Sequence, residues 1–289
     1  MTMTFEEIAL AGSHLNTAPA HFRVRRDPIR WPDGARVAVT WTVVFELLTG
    51  PSSAYHMMDA IYSVYGGKRG LWRLIDVLGE AGVRATVLTS GAAAERFPEA
   101  VHEIKQRGHE IAPYGVATNL CLEEMDEVAE RQNILQALAS LEAITGERPA
   151  GWVSPDRRPG RHTLEILAEQ GLLWNGDFPN DDLPYVVTVN GRRLVIIPYG
   201  LECDDREIYG KHRHPTEVWL RCFQDSLEVL YEEGATHPKM LNVAVHAHLG
   251  RSLWAQALAS AVRYARGFSG VWFATRSEIA HWWLEQGYD

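Results

Sequence analysis

The chain has 289 residues, of which 46% are hydrophobic and 22% charged, and its formal net charge at pH 7 is −9. This composition is typical of a globular protein with one large α/β domain or two small ones. The negative balance argues against a nucleic-acid partner, because contacts with phosphates need clustered Lys and Arg. We therefore expect a small-molecule substrate.

The N-terminal segment and the cysteines indicate where the protein works. The segment "MTMTFEEIALAGSHLN" lacks the basic and apolar regions of a signal peptide, and no run of about 18 uncharged apolar residues predicts a membrane span. Cys121, Cys203 and Cys222 have no CxxC spacing, so they predict neither a disulfide framework nor a thiolate zinc site. We predict a cytoplasmic protein with no membrane partner. Residues 1–35, which contain three prolines, are predicted to form an extended arm that runs along the surface of the protein. Such arms often also mediate oligomer contacts, and we expect a homodimer or homotetramer.

From residue 36 onward, apolar β-branched segments alternate with segments of helical periodicity. The predicted strands are residues 36–47, 83–91, 109–114, 150–154, 172–177, 239–248 and 270–275. The predicted helices are residues 70–82, 92–108, 122–144, 162–171, 215–234, 252–267 and 276–287. Residues 185–199 form a predicted hairpin, because Asn190-Gly191 is a strong two-residue turn signal.

This alternation predicts the α/β class, with a mostly parallel sheet covered by helices. About seven strand–helix units fit a deformed (β/α) barrel better than a doubly wound sheet, and we assign residues 36–289 to a single domain. No GxGxxG or GxxxxGK[ST] motif follows the first strand, which removes the usual nucleotide hypotheses, and we predict no cofactor.

Catalytic groups of such barrels lie at the C-terminal ends of the strands. That rule selects a short set of residues: Glu46, Ser90, Tyr114, Ser154 to Asp156, Asp177, Tyr199, His246, His248 and Thr275.

Several segments, in this order and spacing, resemble the polysaccharide deacetylase (NodB-homology) family, and more narrowly its branch of allantoinase analogues and cyclic imide hydrolases. They include "WPDGARVAV", "YGGKRGLWRLIDVLGEAGVRATV", "EAVHEIKQRGHEIA", "GDFPNDDLPYVV", "IPYGLECDDREIY" and "VWFATRSEIAHWWL". The resemblance implies a deformed, often oligomeric barrel that hydrolyses an amide or imide C–N bond. It also implies a divalent metal, held by paired acids after the first strand and an HxxxH pair after the third, although the narrower branch is thought to include members that work without metal.

This chain departs from the implied metal site at three positions. The two acids become Glu46 and Leu47, and the histidine positions fall on Tyr114 and Thr118. Leu, Tyr and Thr are poor ligands at neutral pH. We therefore predict no metal, leaving a modified site of Glu46, His246 and His248 as the alternative.

The remaining residues receive roles in catalysis or substrate binding. Glu46 is the predicted general base, with a pKa raised by burial, and His246 the general acid or oxyanion donor, helped by Tyr114. The substrate-binding candidates are Arg69, Trp72, Asp177, Asp182 and His248. Packing is the alternative role for Trp72, and turn formation is the alternative for Asp177 and Asp182. The implied substrate arginine falls near Asp156, so Arg157 or Arg158 is a candidate substitute.

The leading hypothesis is a metal-independent hydrolase of a C–N bond in a small amide, cyclic imide or ureide. A lyase or isomerase would use the same pocket for proton transfer. A non-catalytic member, acting as a binding module or as a partner subunit, is the third possibility.

Overall fold

The computed structural model describes residues 29–50 and 56–288 of the chain. Its strands are β1 Val37–Phe45, β2 Thr86–Thr89, β3 Glu110–Pro113, β4 Gly151–Trp152, β5 Trp174–Asn175, β6 Tyr185–Val189, β7 Arg192–Ile196, β8 Lys239–His246 and β9 Val271–Phe273. Its α-helices are α1 Met57–Tyr65, α2 Leu71–Glu80, α3 Gly91–Arg96, α4 Pro98–Gln106, α5 Glu127–Thr145, α6 Thr163–Glu169, α7 Thr216–Glu233, α8 Ser252–Ala265 and α9 Arg276–Glu285. None of the helices within these two ranges is long and apolar enough to cross a membrane.

The strands form two sheets that together make a deformed, mostly parallel barrel. One sheet has the order β3-β2-β1-β8, with β9 also paired to β1, and the other has the order β4-β5-β7-β6. The β6–β7 hairpin is antiparallel and turns at Asn190 and Gly191, which both have positive φ as a type I′ turn requires. The N–H of Val153 donates to the carbonyl of Pro113 at 3.3 Å, which links the sheets at β3 and β4. A parallel bridge between Asp204 and Ala244 joins the segment after β7 to β8.

Strand β1 is the centre of the fold and is buried along its whole length. Its odd-numbered residues, such as Trp41 and Phe45, pack against the helices in the largest apolar cluster. On its other face, Thr40 and Thr42 donate hydrogen bonds to the side-chain oxygen of Asn242 at 3.1 and 2.9 Å inside the barrel. Burial of each large apolar side chain contributes about 1.5–3 kcal/mol to the free energy of unfolding. The hydrogen bonds to Asn242 offset the desolvation of the two buried threonine hydroxyls.

The structure differs from the predicted elements in three places. The predicted helix 92–108 is broken into α3 and α4 at Phe97, because the residue before Pro98 is driven out of the helical conformation. Helix α5 begins later than predicted, at Glu127, because the Asp126 side chain accepts the N–H of Ala129 as an N-cap. Helix α1 was not predicted at all. Of the predicted N-terminal arm, residues 1–28 lie outside the described residues, and Trp31 packs between Trp272 and Trp283.

A π-helical turn, Gly66–Gly70, joins α1 to α2 and packs against a 3₁₀ turn, Ala247–Leu249, that follows β8. The two turns approach so closely that a Cβ added at Gly70 would lie 1.8 Å from the carbonyl oxygen of Ala247, and one at Gly66 would lie 3.1 Å from the backbone nitrogen of His248. Glycine is therefore required for close approach here, at the turn that carries His248.

We expect Gly70→Ala to destabilise the protein by about 3 kcal/mol, because two backbone segments must move apart to admit the methyl group. Gly79→Ala is the matched control, since its Cβ would meet nothing nearer than an Arg107 nitrogen at 3.9 Å. Because Gly79 lies within α2, that change should stabilise by about 0.5–1 kcal/mol. Urea unfolding measures both. Equal stability of the two variants would contradict the close packing of the turns.

Candidate active site

The pairing of β1 with β8 places two chemically active residues at the same edge of the sheet. The strands are parallel, and Val44 is paired with His246. Glu46 follows β1 directly, so its carboxylate and the imidazole at the end of β8 emerge side by side at the C-terminal rim. This is the rim at which the strand-end rule predicts catalytic groups.

Glu46 is a buried carboxylate with two polar partners. Its Oε2 accepts the Thr118 hydroxyl at 2.7 Å, and its Oε1 lies 3.2 Å from Nδ1 of His248. Burial by itself would raise the pKa of the Glu46 carboxyl, but the hydrogen bond and charge of His248, with the charges of Arg206 and His246, lower that pKa well below its ordinary value. The expectation that burial raises this pKa is therefore wrong, because the surrounding cations outweigh burial.

At the three positions that depart from the implied metal site, the side chains either lack a ligand atom or form hydrogen bonds within the protein. Leu47 is buried and offers no ligand atom. The hydroxyl of Thr118 is committed to Glu46. The hydroxyl of Tyr114 accepts the backbone N–H of Asp156 at 2.9 Å, and burial, with the negative charges of Asp156 and Glu46, raises its pKa well above 10. A neutral phenol, a hydroxyl and an alkyl group do not fit the metal of the implied site.

His246 forms a second carboxylate–imidazole pair, which the sequence did not predict, with Asp205. The Nδ1 of His246 lies 2.6 Å from Oδ1 of Asp205, and the backbone N–H of His246 donates to Oδ2 at 2.9 Å. Burial alone would lower the pKa of His246, but the charges of Asp205 and Asp204 raise it to about 9. The imidazole is therefore protonated at neutral pH.

Asp204, Asp205 and His246 are also the one group in residues 29–50 and 56–288 whose ligand-type atoms lie within 4.8 Å of one another. The Asp204 carboxylate already accepts the backbone N–H groups of Arg206 and Glu207 at 2.8 and 3.2 Å. Together with the two bonds from His246 to Asp205, these contacts explain the cluster as a hydrogen-bonded ion pair. Within the described ranges, the alternative metal set of Glu46, His246 and His248 does not bring three ligand atoms within 4.8 Å of one another.

His248 lies in the 3₁₀ turn after β8, and its Nδ1 faces the carboxylate of Glu46. Its ring centroid is 5.5 Å from that of His246, with the rings nearly perpendicular. The rim therefore carries two carboxylate–imidazole pairs, Glu46–His248 and Asp205–His246, next to each other. His248 is the most exposed of the four, with 21% of its side chain accessible.

Of the two candidate arginines, the structure brings only Arg157 to the site. Its guanidinium lies 3.3 Å from both Asp204 and Glu207 and stacks over Tyr199 at 4.9 Å. Arg158 instead pairs with Glu123 and Glu124 at the surface.

Two predicted substrate-binding acids have other positions. Asp177 is buried and accepts three hydrogen bonds from the ends of the neighbouring strands β4 and β5, namely from the backbone and hydroxyl of Ser154 and the amide of Asn175, at 2.6, 2.8 and 2.8 Å. It shapes the rim rather than presenting a free carboxylate. The side chain of Asp182 is 69% exposed, and its Oδ2 lies 3.9 Å from Nζ of Lys239. Lys239 is the first residue of β8, and His246 is the last. The length of that strand separates Asp182 from His246, so its predicted role at the site is wrong.

Arg69 and Trp72 lie near the π-helical turn before α2. Arg69 is exposed. Trp72 is half-buried against the main apolar cluster, and its indole N–H donates to the carbonyl of Gly67 at 2.9 Å. The contacts of Trp72 are those of a packing residue, which favours the alternative to a substrate platform.

A groove of about 430 Å³ opens beside the residue that follows Glu46. It is lined by Leu47, Leu48, Thr49, Val64, Ala92, Glu95 and Arg96. The groove is shallow and open to solvent, and Glu46, His246 and His248 are not among its lining residues.

Comparison with known proteins agrees with this fold. Residues 49–173 match the family model "Polysaccharide deacetylase". The crystal structure of a "probable Polysaccharide deacetylase" from Pseudomonas aeruginosa PAO1 is 30% identical, with a TM-score of 0.83 over 90% of this chain and 96% of that one.

Two further relatives carry different functional names. The crystal structure of "Puue Allantoinase" is 28% identical, with a TM-score of 0.82 over 92% of this chain and 98% of that one. A peptidoglycan deacetylase-like protein of Gibberella zeae is 26% identical over 180 residues, which are 60% of this chain and 53% of that protein. The resemblance in the sequence motifs and the predicted barrel class are thereby confirmed, and the chain belongs to the polysaccharide deacetylase family of hydrolases.

Proposed function

We propose that this protein hydrolyses a carbon–nitrogen bond in a small amide, cyclic imide or ureide without a metal ion. The observation that carries the proposal is the pair of carboxylate–imidazole units at one rim, Glu46–His248 and Asp205–His246, with imidazole centroids 5.5 Å apart. Hydrolysis of an amide needs a base that activates water and an acid that protonates the leaving nitrogen, and two such units supply both.

Glu46 is the proposed general base, supported by His248. The carboxylate is ionised at neutral pH, yet its lowered pKa makes it a weak proton acceptor by itself. The pair acts as the base together, because the negative charge of Glu46, 3.2 Å from Nδ1 of His248, stabilises the positive charge that the imidazole gains when the pair takes up a proton. Water held by this pair loses a proton to it as its oxygen attacks the substrate carbonyl. The hydroxyl of Thr118 keeps the carboxylate oriented.

His246 is the proposed general acid. Asp205 holds it protonated, so the imidazolium can stabilise negative charge on the carbonyl oxygen and then transfer its proton to the leaving nitrogen. Tyr114 is a second proposed donor to that oxygen. Its hydroxyl oxygen accepts from Asp156 while its own proton remains available, since its raised pKa keeps it protonated.

The choice of substrate rests on the nature of the relatives. The similar structure named for an allantoinase supports a small ureide, whereas the peptidoglycan deacetylase-like relative keeps an N-acetyl group among the substrates to test.

Assembly as a homo-oligomer stays a proposal, supported by the exposed apolar side chains of Met57, Met58, Ile61 and Tyr62 on α1. Cytoplasmic location stays a prediction from the sequence.

We expect Glu46→Gln to lower kcat by about 10²–10⁴-fold, the contribution of a general base. The variant should fold, because its amide can keep the hydrogen bond from Thr118, but its free energy of unfolding at pH 7 should fall, because it loses the charge that His248, Arg206 and His246 stabilise. The assay is turnover of a panel of small amides, imides and ureides, with incorporation of solvent oxygen into the product to separate hydrolysis from elimination or isomerisation. Asp182→Asn is the matched control and should behave like the wild type, since Asp182 lies at the far end of β8. Retained turnover in Glu46→Gln would rule out this mechanism.

Activity should fall as pH rises through about 9, because the general acid His246 is protonated below its raised pKa and neutral above it. The kcat–pH profile measures this limb. Asp205→Asn removes the charge that raises the pKa, so in that variant the limb should move to lower pH. An alkaline limb that stays in place in Asp205→Asn would show that another group controls it.

Treatment with EDTA or 1,10-phenanthroline should leave activity unchanged, and elemental analysis of protein purified without chelator should find no stoichiometric transition metal. The matched variant is Leu47→Asp combined with Tyr114→His and Thr118→His, which restores carboxylate and imidazole ligands and should acquire zinc affinity. One bound metal per wild-type chain would overturn the metal-independent mechanism.

A further inference from the structure

An ion pair joins Asp156, whose backbone N–H donates to the Tyr114 hydroxyl at 2.9 Å, to Arg206, and it has no part in the proposed proton transfers. Asp156 belongs to the 3₁₀ turn Pro155–Arg157, and Arg206 begins the π-helical turn Arg206–Lys211. Their side chains are 22% and 25% exposed, so the pair is half-buried and reachable from the rim. Arg206 directly follows Asp205, the partner of His246, and its positive charge helps to lower the pKa of Glu46 and opposes the rise in the pKa of Tyr114.

The backbone at Asp156 adopts a conformation that residues other than glycine seldom take. Asp156 and Arg157 are adjacent and both left-handed, with φ of 53° and 56°. Asp is among the residues that tolerate this region best. The turn is held by the bond from the Asp156 N–H to Tyr114 and by ion pairs on either side, Asp156 with Arg206 and Arg157 with Asp204. Strained backbone of this kind persists where the surroundings enforce it, and here it aims the Asp156 carboxylate at Arg206.

The guanidinium groups of Arg157 and Arg206 are therefore both already paired with carboxylates of the protein. Arg157 is matched to Asp204 and Glu207, and Arg206 is matched to Asp156. A carboxylate on the substrate would have to compete with Asp156 for Arg206 while lying close to the negative charge of Glu46. Charges at short range interact strongly in a partly desolvated pocket, so the arrangement opposes an anionic ligand.

We propose that the Asp156–Arg206 pair sets substrate charge selectivity, so that the site accepts uncharged ring amides, imides and ureides and rejects the same rings bearing a carboxylate. The substrate classes named rest on the proposed function. The selectivity itself is a property of binding and is measured separately from turnover.

The test compares equilibrium binding of two lactams that differ by one carboxylate, 2-pyrrolidinone and pyroglutamate, by calorimetry or NMR titration. The wild type should prefer 2-pyrrolidinone by tenfold or more. Asp156→Asn keeps the side-chain shape and tolerates the left-handed backbone, so the fold should survive, which an unfolding curve checks. Losing the competing charge should tighten pyroglutamate binding by about tenfold, the equivalent of about 1.4 kcal/mol. Adding Arg206→Met to Asp156→Asn should abolish that gain.

Glu124→Gln is the matched control. Glu124 forms an ion pair at the surface with Arg158, which lies two residues after Asp156, so this change should leave the binding ratio of the two lactams unchanged. The proposal is overturned if the wild type binds neither lactam or prefers pyroglutamate, if Asp156→Asn leaves the ratio unchanged, or if the double variant keeps the gain. Selective binding without turnover of any amide, imide or ureide would refute the proposed hydrolysis while supporting the selectivity.

Discussion

The parallel pairing of β1 with β8 is the constraint on which the site depends. Eight residues of each strand are in register, from Val37 with Lys239 to Val44 with His246. In a parallel pair both C-terminal ends emerge on one edge, so two side chains about 200 residues apart in the chain come to lie next to each other. The burial of β1 on both faces stabilises this register, because a slip of one residue would turn its apolar side chains toward the wrong face. The close packing of the Gly66–Gly70 turn on the turn after β8 then positions His248 beside Glu46.

Once these groups are buried together, electrostatics determines their protonation states. A buried carboxylate without partners would be neutral, yet Glu46 is surrounded by His248, Arg206 and His246 and stays ionised. A buried imidazole without partners would also be neutral, yet Asp205 and Asp204 keep His246 protonated. The result is an ionised carboxylate and a protonated imidazole at one rim, which is the combination that the proposed metal-free hydrolysis requires.

The elements of the barrel could be predicted because their signals are local. The strand periodicity of β1 and β8, the turn signal at Asn190-Gly191 and the glycine stops after helices need no tertiary information. Glu46, Tyr114 and His246 could be selected for the same reason, since each terminates a recognisable strand. Asp205 and Arg206 were not selected because they follow no predicted strand. The signal that would have found them is their place in the motif "IPYGLECDDREIY", a segment that reaches β8 only through the bridge between Asp204 and Ala244.

Asp182 shows the opposite error, because its loop motif suggested the site while the chain carries it to the far end of β8. By itself the sequence determined the α/β class, the strand ends and the loss of metal-ligand types at Leu47, Tyr114 and Thr118. Only the tertiary structure decided which charges meet: Glu46 with His248, Asp205 with His246, and Asp156 with Arg206. The physical reason is that side-chain identity and periodicity are local properties, whereas a pKa and an ion pair depend on distances of a few ångströms between residues that are remote in the chain.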